Sequence, residues 1–579
     1  MSQLDWVVLI LTLAGIIGYG LYRSRTTHSL DGYLLADRSM PWGLILLSIM
    51  GTQASAITFL SAPGQAYTDG MRFVQYYFGL PLAMIVISVF FVPIFSRLKV
   101  YTAYEYLEGR FDGKTRTLTS FLFLLQRGLS TGISVFAPSI ILSSLFGWNI
   151  YTTNILMGGL LIIYTVSGGA KAVAYTQQLQ LVIIFTGIFL AAFMVVRMLP
   201  ENVGFTDALY VSGRLGKLNV VTTGFEKGKG FDWNDNYNLF SGIIGGFFLA
   251  LSYFGTDQSQ VGRYLTARSL KQSRIGLLMN GIVKVPMQFL ILLVGALVFT
   301  FYQFNRAPIF FNQIQVEKIR HSSLRDSFAL TEQAYNGLLE KKQQAVIHFT
   351  DALKTGDDRI IEESSTTLNQ LQQESDGLRK KVKDWINSKE VGGDGNDTNY
   401  IFLRFVVEYL PKGLVGLLIA IIFLASWGSI AAALNSLASS SMVDFHKRFV
   451  PGKVSAEKEY RISKWYTLGW GVFCIVVAMF TYNIGNSLIE AVNVLGSLFY
   501  GVILGVFLVA FFLKKVRNGT TVFWGAILAE ILVLLIFLLT KQDIIKMSFL
   551  WLNPIGAFGV IIFTVLLNTF VSKKINPAA

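Results

Sequence analysis

The chain has 579 residues, 53% of them hydrophobic and 15% charged, against roughly 25% charged in soluble domains. This balance excludes an ordinary soluble enzyme and fits a polytopic membrane protein. The net charge of +14 does not point to nucleic acid, because Lys and Arg fall in short clusters between apolar runs, where they set topology and meet lipid headgroups.

Apolar runs of spanning length, about 20 residues, lie at 4–22, 42–62, 74–95, 117–146, 150–167, 176–197, 240–262, 275–303, 401–442, 465–483, 487–513, 520–540 and 547–571. They predict an all-α polytopic membrane protein of about thirteen transmembrane helices. The first run is not a cleaved signal peptide, because Met1-Ser2-Gln3-Leu4-Asp5 lacks a basic residue and Arg23 and Arg25 follow the apolar stretch. It should insert with the N-terminus outside, which puts the C-terminus inside. Short inside segments then hold 24 Lys and Arg, short outside segments 8, the bias expected of a correct register.

Residues 304–400 break the apolar pattern. Two helices are predicted there, over about 323–354 and 358–388, and Ile361, Leu368, Leu371, Leu378, Val382 and Trp385 form one apolar stripe on the second. This reads as an extracytoplasmic helical hairpin, either packing on itself or docking a partner.

Three spans carry polar residues that lipid cannot satisfy. Ser48-Ile49-Met50-Gly51-Thr52-Gln53-Ala54-Ser55-Ala56-Ile57-Thr58-Phe59 interrupts the second and Ser252-Tyr253-Phe254-Gly255-Thr256-Asp257-Gln258 the seventh, five spans apart. Such paired interruptions point to a 5+5 inverted repeat with its binding sites at the breaks. In the ninth, Leu424 to Ser436 is studded with Ser, Gly and Ala, and hard oxygens there suit an alkali cation. The resulting division is an extra N-terminal helix and loop (1–41), a first five-helix repeat (42–200), an outer loop (201–239), the start of the second repeat (240–303), the hairpin (304–400), the rest of that repeat (401–513) and two C-terminal helices with a tail (514–579).

Two cations lie inside spans, Arg127 in the fourth and Lys284 in the eighth. At the bilayer centre each costs about 3 kcal/mol on insertion scales, so each should face a cavity or a partner. The Arg127 fork could take a carboxylate bidentately; alternatively it snorkels, or pairs with Asp257 or Glu490. Lys284 either faces substrate or caps carbonyls near Pro286.

On several motifs the chain resembles the sodium/solute symporter family, which has a LeuT-like core of ten helices. Gly168-Gly169-Ala170-Lys171-Ala172-Val173 is similar to the family's Gly-Gly turn before the sixth span. Gly255 to Leu265 resembles its aromatic-Gly-x-(Asn/Asp)-Gln signature, Ala433-Leu434-Asn435-Ser436 the core of its ion-site helix, and Asn493 to Gly501 the helix that follows. The resemblance implies a sodium site using carbonyls of Gly51, Ala54 and Ala425 and the hydroxyl of Ser429. Gly428 stands where the first hydroxyl belongs, so that ligand must come from Ser426, water or substrate. Gln177, Ala431 and Ala432 replace the groups of a second sodium site, so one Na+ is expected. Ile57 and Thr58 stand where sugar carriers have a Glu-Gln pair, which places the chain closer to the monocarboxylate, iodide and vitamin branch. Gln53, Thr58, Arg127, Tyr253, Phe254 and Lys284 are the expected substrate-binding residues, with Tyr253 the aromatic that closes the pocket from inside.

The expected function is symport of a small anionic solute with sodium, across a bacterial inner membrane as judged from the slim tails. A sugar or polyol symporter, a proton-coupled or uniporting carrier and a solute sensor remain open. HExxH and Walker patterns are missing, which speaks against an enzyme, and oligomeric state is not legible.

Overall fold

The computed structural model describes residues 1–24, 35–98, 100–226, 228–450, 455–481 and 487–575. Helices dominate, and the β-structure among the described residues is a two-stranded pair, Phe225–Glu226 with Gly230–Phe231, and one isolated bridge between Met40 and Ala267. The helices that position the site are α1 (Gln3–Ser24), α2 (Trp42–Gln53), α3 (Ala56–Asp69), α4 (Gly113–Phe146), α5 (Ile150–Arg197), α6 (Gly246–Thr256), α7 (Gln258–Leu265) and α8 (Leu270–Phe304). Then come α9 (Arg325–Thr355), α10 (Asp358–Asn387), α11 (Thr398–Tyr409), α12 (Leu414–Ser440), α13 (Ala456–Phe480), α14 (Leu488–Phe512), α15 (Gly519–Lys541) and α16 (Leu552–Ile575). Among the described residues ten helices are long and apolar enough to cross a membrane, and the bent pair α2–α3 passes the same test when its two halves are taken together. Shorter apolar helices at Ile150–Val166 and Ser241–Thr256 coincide with two further expected spans.

Although α5 is one helical run of 48 residues, it folds back on itself. Tyr164 Oη and Thr176 Oγ1 lie 2.8 Å apart, whereas twelve residues of straight helix would separate them by about 18 Å. The reversal falls where the Gly168–Val173 turn is expected; the side chains of 167–172 lie outside the described residues.

The expected ninth span, 401–442, is corrected to two helices. Leu410 is extended (φ −75°, ψ 151°) between α11 and α12, as the residue before a proline prefers, and Gly413 follows at φ 90°, a conformation that favours glycine. The carboxylate of Asp5 then receives the N–H groups of Gly413 (2.6 Å) and Gly416 (3.3 Å), so α1 supplies an anion to the positive end of α12. Buried from Leu418 to Ser440, α12 is enclosed by α1, α2, α4, α5 and α13. Its Ser, Gly and Ala residues allow this close approach. At its far end Asp444, fully buried, takes two bonds from Arg116 (2.7 and 2.8 Å) and one each from Thr102 (2.8 Å) and Ser120 (3.1 Å).

Helices α9 and α10 form the expected hairpin. Gly356 turns at φ 69°, and Asp357 caps α10 by accepting from the N–H groups of Arg359 and Ile360. The predicted stripe of α10 is the packed face: Leu368 and Val382 are fully buried. Two apolar clusters result. One joins Phe328, Tyr335 and Leu339 of α9 to Val382 and Ile386 of α10; the other joins Val346, Phe349 and Leu368 to Val211 and Phe304 of the bundle. The hairpin therefore packs both on itself and on the bundle.

Candidate functional site

Both interrupted spans are broken where the sequence suggests. Helix α2 ends at Gln53; Ala54 (φ −77°, ψ 87°) and Ser55 (φ −91°, ψ 173°) leave helical geometry, and α3 departs at 62°. The Ser55 N–H turns to Gln53 O, which leaves the Gly51 carbonyl outside the helical ladder. In the second break Asp257 is extended (φ −73°, ψ 119°), and its carboxylate caps α7 through the Ser259 N–H (2.7 Å) and hydroxyl (2.6 Å). A close approach of α3 to its surroundings depends on glycine: a Cβ on Gly64 would run into Thr398 O, and one on Gly295 into Pro63 O.

Beside the breaks lies a cavity of about 110 Å³, room for several waters or a small solute. Of the expected substrate residues, Gln53, Thr58, Arg127 and Tyr253 line it. Phe254 does not: it packs edge-on behind Tyr253, with ring centroids 4.9 Å apart, because adjacent helical residues point about 100° apart and only one can face the cavity. Lys284 is a second correction. It is fully buried one layer further out, its ammonium 5.7 Å from the ring centre of Tyr77, which itself lines the cavity. Its Nζ has no hydrogen-bond partner among the described residues, so it caps no carbonyl near Pro286.

Arg127 is the cation that reaches the cavity. Its Nη1 lies 3.8 Å from Asp257 Oδ2, a long pairing distance, and its guanidinium stands 5.6 Å from the centre of the Tyr253 ring. Asp257 does not depend on it, since Tyr500 Oη donates to Oδ2 at 2.7 Å and Ser259 saturates Oδ1. Among the described residues Arg127 Nε is without a partner, as are Gln53 Oε1, Gln126 Oε1 and Asn493 Nδ2 in the same wall. Buried polar groups are normally bonded, so this wall presents donors and acceptors to something it would enclose. Gln126, Ser130, Thr131, Asn493 and Tyr500 are lining residues that the sequence reading did not single out.

The expected cation ligands lie on α2, the break and α12. Ser429 lines the cavity and donates to Ser426 O at 3.1 Å; Ser426 Oγ has no partner among the described residues. At Gly428, where a hydroxyl is missing, a Cβ would meet Gln180 Oε1, so an amide oxygen occupies the space that side chain would take. Gln177 fills the seam between α2 and α12: its Nε2 donates to Gly428 O (3.0 Å) and Thr52 Oγ1 (3.3 Å), and its Oε1 accepts from Ser48 (2.9 Å). An uncharged amide thus bridges the two helices. Hard oxygens with an unused hydroxyl fit an alkali cation in chemistry, and among the described residues no cluster of His, Cys, Asp and Glu suits another metal.

The sodium:solute symporter family profile matches residues 33–322 and 382–529, breaking off across most of α9 and α10. A sodium-dependent multivitamin transporter of Oryctolagus cuniculus is 25% identical over 540 residues, which cover 88% of this chain and 66% of that one. A sodium/sialic acid symporter of Proteus mirabilis is 24% identical over 563 residues, or 96% of this chain and 93% of its own. The solved structure of a Na+-coupled sialic acid symporter in a substrate-bound, outward-open state shares the fold, with a TM-score of 0.72 at 22% identity over 98% of this chain and 97% of that one. Together with the two breaks and the polar cavity beside them, the match over most of the chain makes the protein a member of the sodium:solute symporter family.

Proposed function

We propose that the protein is a sodium-coupled symporter of a small organic anion that also carries hydroxyl or amide groups, such as an acidic sugar or a hydroxylated monocarboxylate. The observation that carries this reading is Arg127, a buried guanidinium with donor capacity to spare, in a wall that also holds unpartnered Gln53, Gln126 and Asn493 groups. A carboxylate takes the guanidinium fork, and hydroxyls take the amides. The name of one relative, a sialic acid carrier, agrees with an anionic cargo. Transport follows alternating access, in which the solute sits at the breaks and the bundle rocks around it. The charge bias supports thirteen spans, an outside N-terminus and a hairpin on the outer face of the membrane, and the bacterial source of the sialic acid symporter agrees with a bacterial plasma membrane.

Sodium is co-substrate in this reading, held by the carbonyls of Gly51, Ala54 and Ala425 and by Ser429, with Gln180 Oε1 or Ser426 in place of the hydroxyl lost at Gly428. Linkage requires sodium and solute to raise each other's affinity equally. Ser429→Ala should raise the sodium concentration for half-maximal uptake about tenfold, the effect of losing one charge-assisted contact. Unchanged sodium dependence would remove Ser429 from the ligand set. The amide of Gln177 supports a ratio of one sodium per solute, and a reversal potential giving two would overturn it.

A proton-coupled or uniporting carrier is the second reading, favoured by Gly428 and by the Gln177 amide. Uptake of candidate carboxylates into proteoliposomes, with choline replacing sodium, decides between them: loss of uptake supports symport with sodium, and full retention rejects it.

A further inference from the structure

A second pocket, of about 220 Å³, lies between the hairpin and the ends of α3 and α8. Its charges are unbalanced. Lys217, Lys342, Arg379, Lys380 and Lys383 line it against one carboxylate, Asp376. Asp397, behind the wall, pairs with Arg379 (2.7 Å) and Lys383 (3.0 Å) and so offsets part of the charge in the deeper part of the cluster. Lys217 and Lys342 have no such partner.

Lys217 Nζ donates to Thr68 O at 2.6 Å and lies 4.8 Å from the centre of the Phe299 ring. Lys342 Nζ donates to Gln372 Oε1 at 2.7 Å. Each ammonium has three donors, and each is set against neutral oxygen or a ring face; neither forms an ion pair among the described residues. Burial pushes the Lys342 ammonium down to about 8, with Arg379 and Lys217 adding repulsion and Asp376 opposing it. Burial lowers Lys217 likewise, against the pull of Asp376 and Asp69. Tyr302 Oη, buried in the same wall, has no hydrogen-bond partner among the described residues. Two cations without an ion-pair partner, an unused phenol donor and a recessed pocket share one chemical complement.

We propose that this pocket is a second binding site, for a small anion, carboxylate or halide, held by Lys217 and Lys342 with Tyr302 as a further donor. Lys217 rests on the last turn of α3, the outer half of the broken span, and Lys342 belongs to α9. The bound anion therefore ties the hairpin to α3. The inference does not depend on what the central cavity carries.

The test is thermal unfolding of the full-length protein in detergent at fixed sodium and ionic strength, with sodium HEPES replaced stepwise by sodium acetate in one arm and sodium chloride in another. A saturable upward shift is expected in at least one arm, and the responding arm tells carboxylate from halide. Lys217→Gln and Lys342→Gln should each raise the half-saturating concentration about tenfold, while Lys342→Arg restores it and Arg127→Gln leaves it unchanged. If Lys342→Gln does not fold, Lys217→Gln decides. The site is overturned if neither arm responds, if the Lys→Gln variants respond like the parent, or if Arg127→Gln alone removes the effect, which would put the anion in the central cavity.

Discussion

Arg127→Gln should cost the protein most of its transport, lowering uptake at subsaturating solute about 10- to 100-fold while sodium still binds. The range follows from one charge-assisted interaction worth about 1.5–3 kcal/mol and a factor of ten for each 1.4 kcal/mol. The loss should come from solute and not from collapse of the site, because the neighbouring carboxylate is independently held. Asp257 keeps the Tyr500 hydroxyl and the Ser259 N–H and hydroxyl when the guanidinium, already 3.8 Å away, is removed. Arg127→Lys keeps the charge but not the planar fork, so its uptake should fall between those of the parent and the Gln variant. Radiolabelled uptake in proteoliposomes gives the first readout, and stabilisation of the detergent-solubilised protein by sodium alone gives the second. A Gln variant that transports a carboxylate with unchanged half-saturation sinks the anion reading; one that loses sodium stabilisation as well assigns Arg127 a structural role.

Both breaks are legible in the sequence because a membrane span has no water to satisfy loosened backbone, so Gly, Ser, Thr and Asp inside an apolar run mark where the helix is interrupted. Which side of a helix meets the cavity was harder. Tyr253 and Phe254 are adjacent, and only packing of α6 against α14 decides that Tyr253 faces inward, near Tyr500, while Phe254 does not. Asn493 and Tyr500 belong to a recognisable motif, yet their place in the wall follows from the rotation of α14, which no local pattern reports. Lys284 shows the limit of an argument from cost: a buried cation must face something, and here that is the ring of Tyr77. The break between α11 and α12 could have been read from Pro411 and Gly413, whose signal was overridden by the apolar window running across them. The pocket beneath the hairpin was out of reach, because its walls come from α3, α8, α9, α10 and the segment carrying Lys217.

Asp397→Asn should detach the hairpin, destabilising it by about 3–5 kcal/mol, the usual consequence of removing one partner from a buried ion pair. Asp397 is fully buried and binds Arg379, Lys383 and the N–H of Phe311 (3.0 Å). Arg379 in turn donates to Pro308 O and lies 5.1 Å from the centre of the Phe311 ring, so this carboxylate joins α10 to the strand of chain entering the hairpin. Asn can keep the Phe311 contact but leaves two cations uncompensated in a pocket that already holds an excess of them. The sign with pH follows from the same contacts. Burial raises the Asp397 pKa, but Arg379, Lys383 and the Phe311 N–H outweigh it and hold the carboxyl below its ordinary value. A depressed folded-state pKa contributes stability that is present above the unfolded carboxylate range, about 3.9, and is lost as pH falls through the folded value. Hydrogen exchange over residues 325–387 at neutral pH should therefore be markedly faster in the variant, and thermal unfolding should show the difference shrinking as the parent is acidified below about pH 4. Equal protection in the two proteins at neutral pH would show that the apolar faces of α9 and α10 hold the hairpin without the ion triad.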